Sequence, residues 1–216
     1  MNWTKKNNGD EGNYKKMNRK DLLEYIKDEI EEHIKIAELL LNDKGLQFKI
    51  LQASLVMVES IKSGGTIFFC GNGGSAADAQ HLAAELVGRF MLERRPLPAE
   101  ALTVNTSVLT AIANDYSYDK VFSRQLQAKG KKGDILFAIS TSGQSKNVLE
   151  AIKTAKKMGI KSIVLCGNNK ETPLSLLSDY SIHIPSSKTP RIQELHIIAG
   201  HIICDEIERM MFSYGD

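Results

Sequence analysis

An α/β fold, with a mainly parallel five-stranded sheet covered by helices on both faces, is the architecture this sequence predicts. Three observations carry it. From residue 66 onward, short apolar runs alternate with segments of helical period. The runs are apolar almost throughout, as strands buried on both faces are. Two of them lead through turns rich in Gly or Ser straight into a helix, the junction expected of βα units.

The elements follow in order. Residues 19–41 place Leu22, Leu23, Ile26, Ile30, Ile34, Ala37, Leu40 and Leu41 at helical spacing, with Glu and Lys on the other side. Residues 46–62 repeat the pattern and stop at Ser63-Gly64-Gly65. A helical pair with no strand of its own packs either on a neighbouring subunit or on the chain's own sheet. Thr66–Cys70 is a predicted strand, and Ser75–Gly88 a helix with Ser75 as its N-cap. Ala99–Val104 is the second strand, followed by a short helix from Ser107 to about Ala113 and a helical segment over Tyr118–Ala128. Asp134–Ile139 is strand, Ser145–Met158 helix, and Lys161–Leu165 strand. A turn or short helix covers 172–178, Tyr180–Ile184 is the last strand, and Arg191–Phe212 a long helix.

The 216 residues suffice for one sizeable domain, here 19–216 with the helical pair 19–63 included. Charged residues at 25% and hydrophobic ones at 42% are ordinary for a soluble globular protein. The net charge of +2 divides unevenly: Lys5, Lys6, Lys15, Lys16, Arg19 and Lys20 stand against Asp10 and Glu11, so residues 1–20 carry about +4. Residues 1–18 read as a disordered, solvated basic leader, so we expect neither a nucleic-acid partner nor a membrane partner. The first residues are polar, without the apolar stretch of a signal peptide, and no run is long enough to span a bilayer. Cys70, Cys166 and Cys204 are few and widely spaced, which fits a reducing cytoplasm and small buried side chains rather than a disulfide framework.

Three constellations carry chemistry. The first is Cys70-Gly71-Asn72-Gly73-Gly74-Ser75 and the helix after it. The glycines let the backbone turn sharply and approach a ligand. His81 and Glu85, four apart, point to one helical face. The second is Ser140-Thr141-Ser142-Gly143-Gln144-Ser145, where four hydroxyls meet a helix N-terminus. Amide groups, hydroxyls and the positive dipole end suit a phosphate. Helix capping alone needs only one or two such residues. The loop lacks the Gly-Lys-Ser/Thr ending of a nucleotide P-loop. The third is the last helix. Gln193 and His201 lie two turns apart on neighbouring faces, while Glu194 and His196 read as surface or satisfied polar groups. His81, Glu85, Gln193 and His201 together could bind a divalent metal; imidazole and carboxylate suit zinc, and a carboxamide is an unusual ligand. Asn114-Asp115 either hydrogen-bonds sugar hydroxyls or serves a turn.

These blocks, with Ala113-Asn114-Asp115 and Arg191-Ile192-Gln193-Glu194-x-His196-x-x-x-x-His201, resemble the phosphoheptose isomerases of the sugar isomerase (SIS) domain superfamily over roughly residues 20–212. The resemblance implies a doubly wound, flavodoxin-like sheet, a homotetramer with active sites at subunit interfaces, and isomerisation of D-sedoheptulose 7-phosphate to D-glycero-D-manno-heptose 7-phosphate through an enediol. That reaction opens bacterial ADP- or GDP-heptose synthesis for lipopolysaccharide or capsule. The resemblance makes Glu85 the catalytic base and His201 the acid. It puts Asn72, Gly73, Gly74, Ser75, Glu85, Asn114, Asp115, Ser140, Thr141, Ser142, Ser145 and Gln193 against substrate, and zinc on His81, Glu85, Gln193 and His201. No organic cofactor is expected. A non-catalytic relative that binds a replication-initiator-type protein is the competing reading, and the presence of both Glu85 and His201 favours the enzyme.

Overall fold

The computed structural model describes residues 19–212; the leader expected at 1–18 lies outside the described residues. Helices α1 (Arg19–Asn42) and α2 (Lys44–Lys62) come first. Asp43 separates them and caps α2 by accepting the Leu46 amide, so α2 starts two residues earlier than its apolar period suggests. There follow β1 (Ile67–Gly71), α3 (Gly74–Val87), β2 (Ala99–Ala101), α4 (Thr106–Asp115), a 3-10 turn at Tyr118–Lys120 and α5 (Val121–Lys129). The chain closes with β3 (Ile135–Ser140), α6 (Lys146–Met158), β4 (Lys161–Cys166), α7 (Pro173–Leu177), β5 (Tyr180–His183) and α8 (Thr189–Met211).

All five strands are parallel, in the order β2-β1-β3-β4-β5. Alternation along each strand splits the core in two. Ile67, Phe69, Ile135, Phe137, Ile163 and Leu165 face one way and pack with α2, α3 and α8. Phe68, Cys70, Leu136, Ala138, Val164 and Cys166 face the other way and pack with α5 and α6. The two coverings explain why the strands read as continuous apolar runs.

Three expectations need correction. The second strand ends at Ala101 rather than Val104. The Leu102 amide still reaches the Phe69 carbonyl, but Asn105 then caps α4 through the Val108 amide, and the chain must turn to put it there. The first residue of α3 is Gly74, with Gly73 at the cap position and φ at +56°, so Ser75 is buried within the first turn rather than capping it. Asn114 and Asp115 close the last turn of α4 instead of following it. The expected burial of the cysteines holds: all three are buried and unpaired. Helix α1 is different from its neighbours. Only Ile36 and Leu40 of its apolar residues are buried, while Leu22, Ile26, Ile30 and Ile34 are 48–56% exposed.

Candidate active site

The strand order places a switch point between β1 and β3, whose following helices α3 and α6 lie on opposite faces of the sheet. Open α/β sheets bind ligands at such a point, beyond the carboxyl ends of the strands. Both small-residue loops of the sequence emerge there, 72–73 after β1 and 141–145 after β3.

The two loops are tied together by reciprocal amides. Asn72 Nδ2 donates to Asn147 Oδ1 at 2.9 Å, and Asn147 Nδ2 donates back to Asn72 Oδ1 at 2.8 Å. The Tyr118 hydroxyl also donates to Asn72, at 3.1 Å. Neither Asn147 nor Tyr118 stands out in the sequence. Their partner is 75 and 46 residues away, so no local pattern could mark them. The glycines of the first loop serve different needs. Gly73 adopts a positive φ that costs other residues strain. Gly71 and Gly74 make room: a Cβ on Gly71 would lie 2.5 Å from the Ser75 carbonyl oxygen, and one on Gly74 would lie 2.2 Å from Gln193 Nε2.

In the second loop Ser140 and Ser145 hydroxyls are 3.0 Å apart, and Ser142 accepts the Gln144 amide at 3.3 Å. Ser145 holds the N-cap position of α6 yet makes no side-chain capping bond. Its hydroxyl is held by Ser140 rather than by the helix backbone, and it lies beside the positive end of a 13-residue helix, where an anion is favoured. A cavity of about 240 Å³ adjoins this loop, lined by Thr141, Ser142, Gln144 and the turns after β4 and β5. A cavity of about 630 Å³ lies elsewhere, between α1, α2 and α8.

The third cluster joins α3 to α8. His81 Nε2 is 2.7 Å from His201 Nε2 and 3.3 Å from Glu85 Oε1. One ligating atom from each residue lies within 4.8 Å of the others. Two imidazoles and a carboxylate are a recurrent zinc donor set, so these three residues fit a divalent ion. Gln193 is seated differently. Its amide packs over Gly74, seven residues and so about 10 Å along α3 from His81. Asn114 donates to Asp115 at 2.9 Å, and both are exposed on α4. Asp78, one turn ahead of His81, has a buried Oδ2 with no hydrogen-bond partner among the described residues; burial pushes its carboxyl up to about 6, partly offset by His81.

Of the polar pair on α8, Glu194 is satisfied as expected, accepting from Arg191 and paired with His33. His196 is not a surface group. It is fully buried, with no hydrogen-bond partner for either ring nitrogen among the described residues, and burial drives its pKa down to about 4.

The profile of the SIS domain family matches residues 35–167, which span the sheet's first four strands and both loops. A doubly wound domain with a hydroxyl-rich loop leading into a helix N-terminus at its switch point thus defines the class: a sugar isomerase domain. Phosphoheptose isomerase from Nitratiruptor sp. is 53% identical over 187 residues, covering 87% of this chain and 98% of its own. The solved phosphoheptose isomerase of Neisseria gonorrhoeae superposes with a TM-score of 0.81 at 42% identity, covering 87% of this chain and 99% of that one. That of Francisella tularensis gives 0.82 at 36% identity, covering 87% and 98%. The chain belongs to the phosphoheptose isomerase family.

Proposed function

We propose that the chain interconverts D-sedoheptulose 7-phosphate and D-glycero-D-manno-heptose 7-phosphate, with Glu85 as base and His201 as acid. The observation that carries this reading is the meeting of Glu85 with His201 through His81, which lies 120 residues from His201 in sequence. An aldose–ketose isomerase must move a proton between adjacent carbons. Glu85 Oε1 faces His81, leaving Oε2 to take the carbon-bound proton and return it to the neighbouring carbon. His201 exchanges the proton between the two sugar oxygens, a task suited to a group that titrates near neutrality. Ser140, Thr141, Ser142 and Ser145 hold the unreacting phosphate, and Asn72, Gly73, Gly74, Ser75, Asn114, Asp115 and Gln193 are assigned to the rest of the sugar. The far anchor supplies binding energy that orients the reacting end.

His81, Glu85 and His201 would hold a divalent ion, zinc by ligand preference, while Gln193, seated over Gly74, is too far along α3 to join them and serves the sugar instead. The ion would contribute charge stabilisation at the developing enediolate. No organic cofactor is needed.

We assign a homotetramer. The exposed apolar stripe of α1 and the groove beside it support that assembly. A single domain over 19–216 fits the one continuous sheet. No helix among the described residues is long and apolar enough to cross a membrane. Unpaired cysteines support a cytoplasmic setting. The product feeds heptose biosynthesis, which we place upstream of lipopolysaccharide or capsule.

The test is incubation of purified protein with sedoheptulose 7-phosphate and analysis of the product. Glu85→Gln should cut turnover by about 10²–10⁴-fold while substrate binding survives. A fully active Glu85→Gln enzyme would remove the base from this scheme. A protein-binding relative without activity is disfavoured because both proton-transfer groups are present and converge.

A further inference from the structure

We propose that Phe90 is a positioning residue for His201, held in place by the buried Arg94–Glu208 pair. The inference rests on the reading of His201 as the acid.

The His201 ring lies between two others. His81 approaches with centroids 5.0 Å apart and rings tilted by 51°. Phe90 stacks on it at 5.4 Å and 29°. A ring held by stacking contacts keeps its plane, and the plane decides where the imidazole nitrogens point. Phe90 itself belongs to no helix or strand. It lies in the irregular segment between α3 and β2, where a side chain would ordinarily be free to wander.

That segment is anchored by two charges withdrawn from water. The Glu208 side chain is 0% exposed and that of Arg94 1%. Glu208 accepts the amides of Phe90, Met91 and Leu92 at 2.9, 2.8 and 2.9 Å, and Arg94 Nε at 2.8 Å. The remaining Arg94 nitrogens donate to the carbonyls of Glu85, Leu86, Gly88 and Arg95. Burial by itself would raise the Glu208 carboxyl, but the three amides and Arg94 outweigh it and leave it below the ordinary range.

The geometry is that of a joint. Arg94 closes the carboxyl end of α3 by binding the backbone oxygen of Glu85 and its neighbours. Glu208 grips the segment from α8, two turns beyond His201. One ion pair therefore ties together the two helices that carry the base and the acid, and in doing so seats Phe90 on the acid. Buried ion pairs contribute little net stability compared with apolar packing, but they do fix geometry when every polar atom is satisfied.

The experiment compares full-length wild type, Phe90→Leu and Phe90→Tyr. Leu keeps apolar bulk and loses the planar ring; Tyr restores the ring. Each protein is measured for kcat and KM with sedoheptulose 7-phosphate, for thermal midpoint, and for the His201 imidazole proton shifts by NMR. We expect Phe90→Leu to lower kcat about tenfold with KM within about twofold, and Phe90→Tyr to recover most of the loss. We also expect the His201 ring protons to lose their upfield ring-current shift only in Phe90→Leu. Unchanged kcat in Phe90→Leu overturns the inference, as does an unmoved His201 resonance. So does a loss that Tyr fails to rescue, since the effect would then be packing alone. Should wild type show no turnover, the isomerase reading fails, and the NMR shift still reports whether Phe90 holds the ring.

Discussion

Replacing Gly74 by alanine should separate stability from activity, with opposite signs. Gly74 is the first residue of α3 and is not among the glycines with positive φ, so its backbone accepts a side chain. Alanine at a helical position is favoured over glycine by up to about 1 kcal/mol. The new methyl, however, would sit 2.2 Å from Gln193 Nε2, 3.0 Å from its Cδ and 3.2 Å from its Oε1. Ordinary contact begins near 3.4 Å, so the amide must retreat by about 1.2 Å, the difference between 3.4 and 2.2. The contacted atoms are the end of a flexible side chain, so the fold adapts and Gln193 leaves its place. Losing one hydrogen bond to a bound ligand costs about 0.5–1.5 kcal/mol, which lowers kcat/KM between about twofold and tenfold. Thermal unfolding and steady-state kinetics on the same preparation measure both effects. A cycle with Gln193→Ala assigns the cause: with the amide gone the methyl has nothing to displace, so the double variant should match Gln193→Ala alone. Unaltered kcat/KM in Gly74→Ala, or simple additivity in the cycle, refutes the idea that Gln193 acts from its seat over Gly74.

Three other outcomes are expected. Ser145→Ala should raise KM for the sugar phosphate about tenfold and leave kcat within about twofold, because in the proposed scheme its hydroxyl serves the phosphate, and it makes no helix-capping bond; steady-state kinetics that show a kcat effect instead would count against that division. Ile30→Glu places a charge in the exposed α1 stripe and should reduce the molar mass seen by light scattering, whereas an unchanged mass would locate the subunit contact elsewhere. Acid should destabilise the fold partly through His196. Its folded pKa of about 4 lies below the ordinary 6.5, so between those values the unfolded chain binds a proton the folded chain refuses, and stability falls as pH drops through that window. The full difference, from 6.5 to about 4, amounts to roughly 3 kcal/mol. Urea titrations from pH 7.5 to 4.5 should show a flatter slope in His196→Leu, and equal slopes in the two proteins would exclude His196 as the source.

What was legible in the sequence was local. The apolar runs at Ile67–Cys70 and Ile135–Ile139 announce buried strands because both their faces are covered. The His81/Glu85 spacing announces one helical face, and the two do meet. Ligand chemistry grouped His201 with that pair and the resemblance made it the acid, since no periodicity links it to a residue 120 positions earlier. Where local rules competed, sequence reasoning failed. Ser75 has the chemistry of an N-cap, but three glycines around Asn72 let the turn tighten early and hand that position to Gly73. His196 has the chemistry of a surface group, but it falls between Leu195 and Ala199 on the buried face of α8. The stripe on α1 was legible as helix, while its exposure was not, because nothing local says whether the described core reaches it. Arg94 and Glu208 were invisible for a different reason: 114 residues separate them, and each looks alone like an ordinary solvated charge.

The site depends on how closely α3 and α8 can approach. The two helices run alongside each other, with Gln193 over Gly74 at one end and Gly200 against Leu82 further along. A Cβ on Gly200 would lie 2.6 Å from a methyl of Leu82, and Leu82 is 1% exposed with no space to swing into. Glycine at 200 is therefore a condition of the spacing, one residue before His201 and opposite the residue that follows His81. That spacing brings the imidazole nitrogens to 2.7 Å, and the Arg94–Glu208 joint then stops the helices from sliding apart beyond it. In the proposed scheme the proton-transfer geometry is set by two glycines and one buried ion pair, none of which touches the reacting carbons. Substitutions at these places should therefore alter turnover before they alter phosphate binding, because the hydroxyl loop after β3 belongs to the other side of the switch point and is tied in through Asn72 and Asn147.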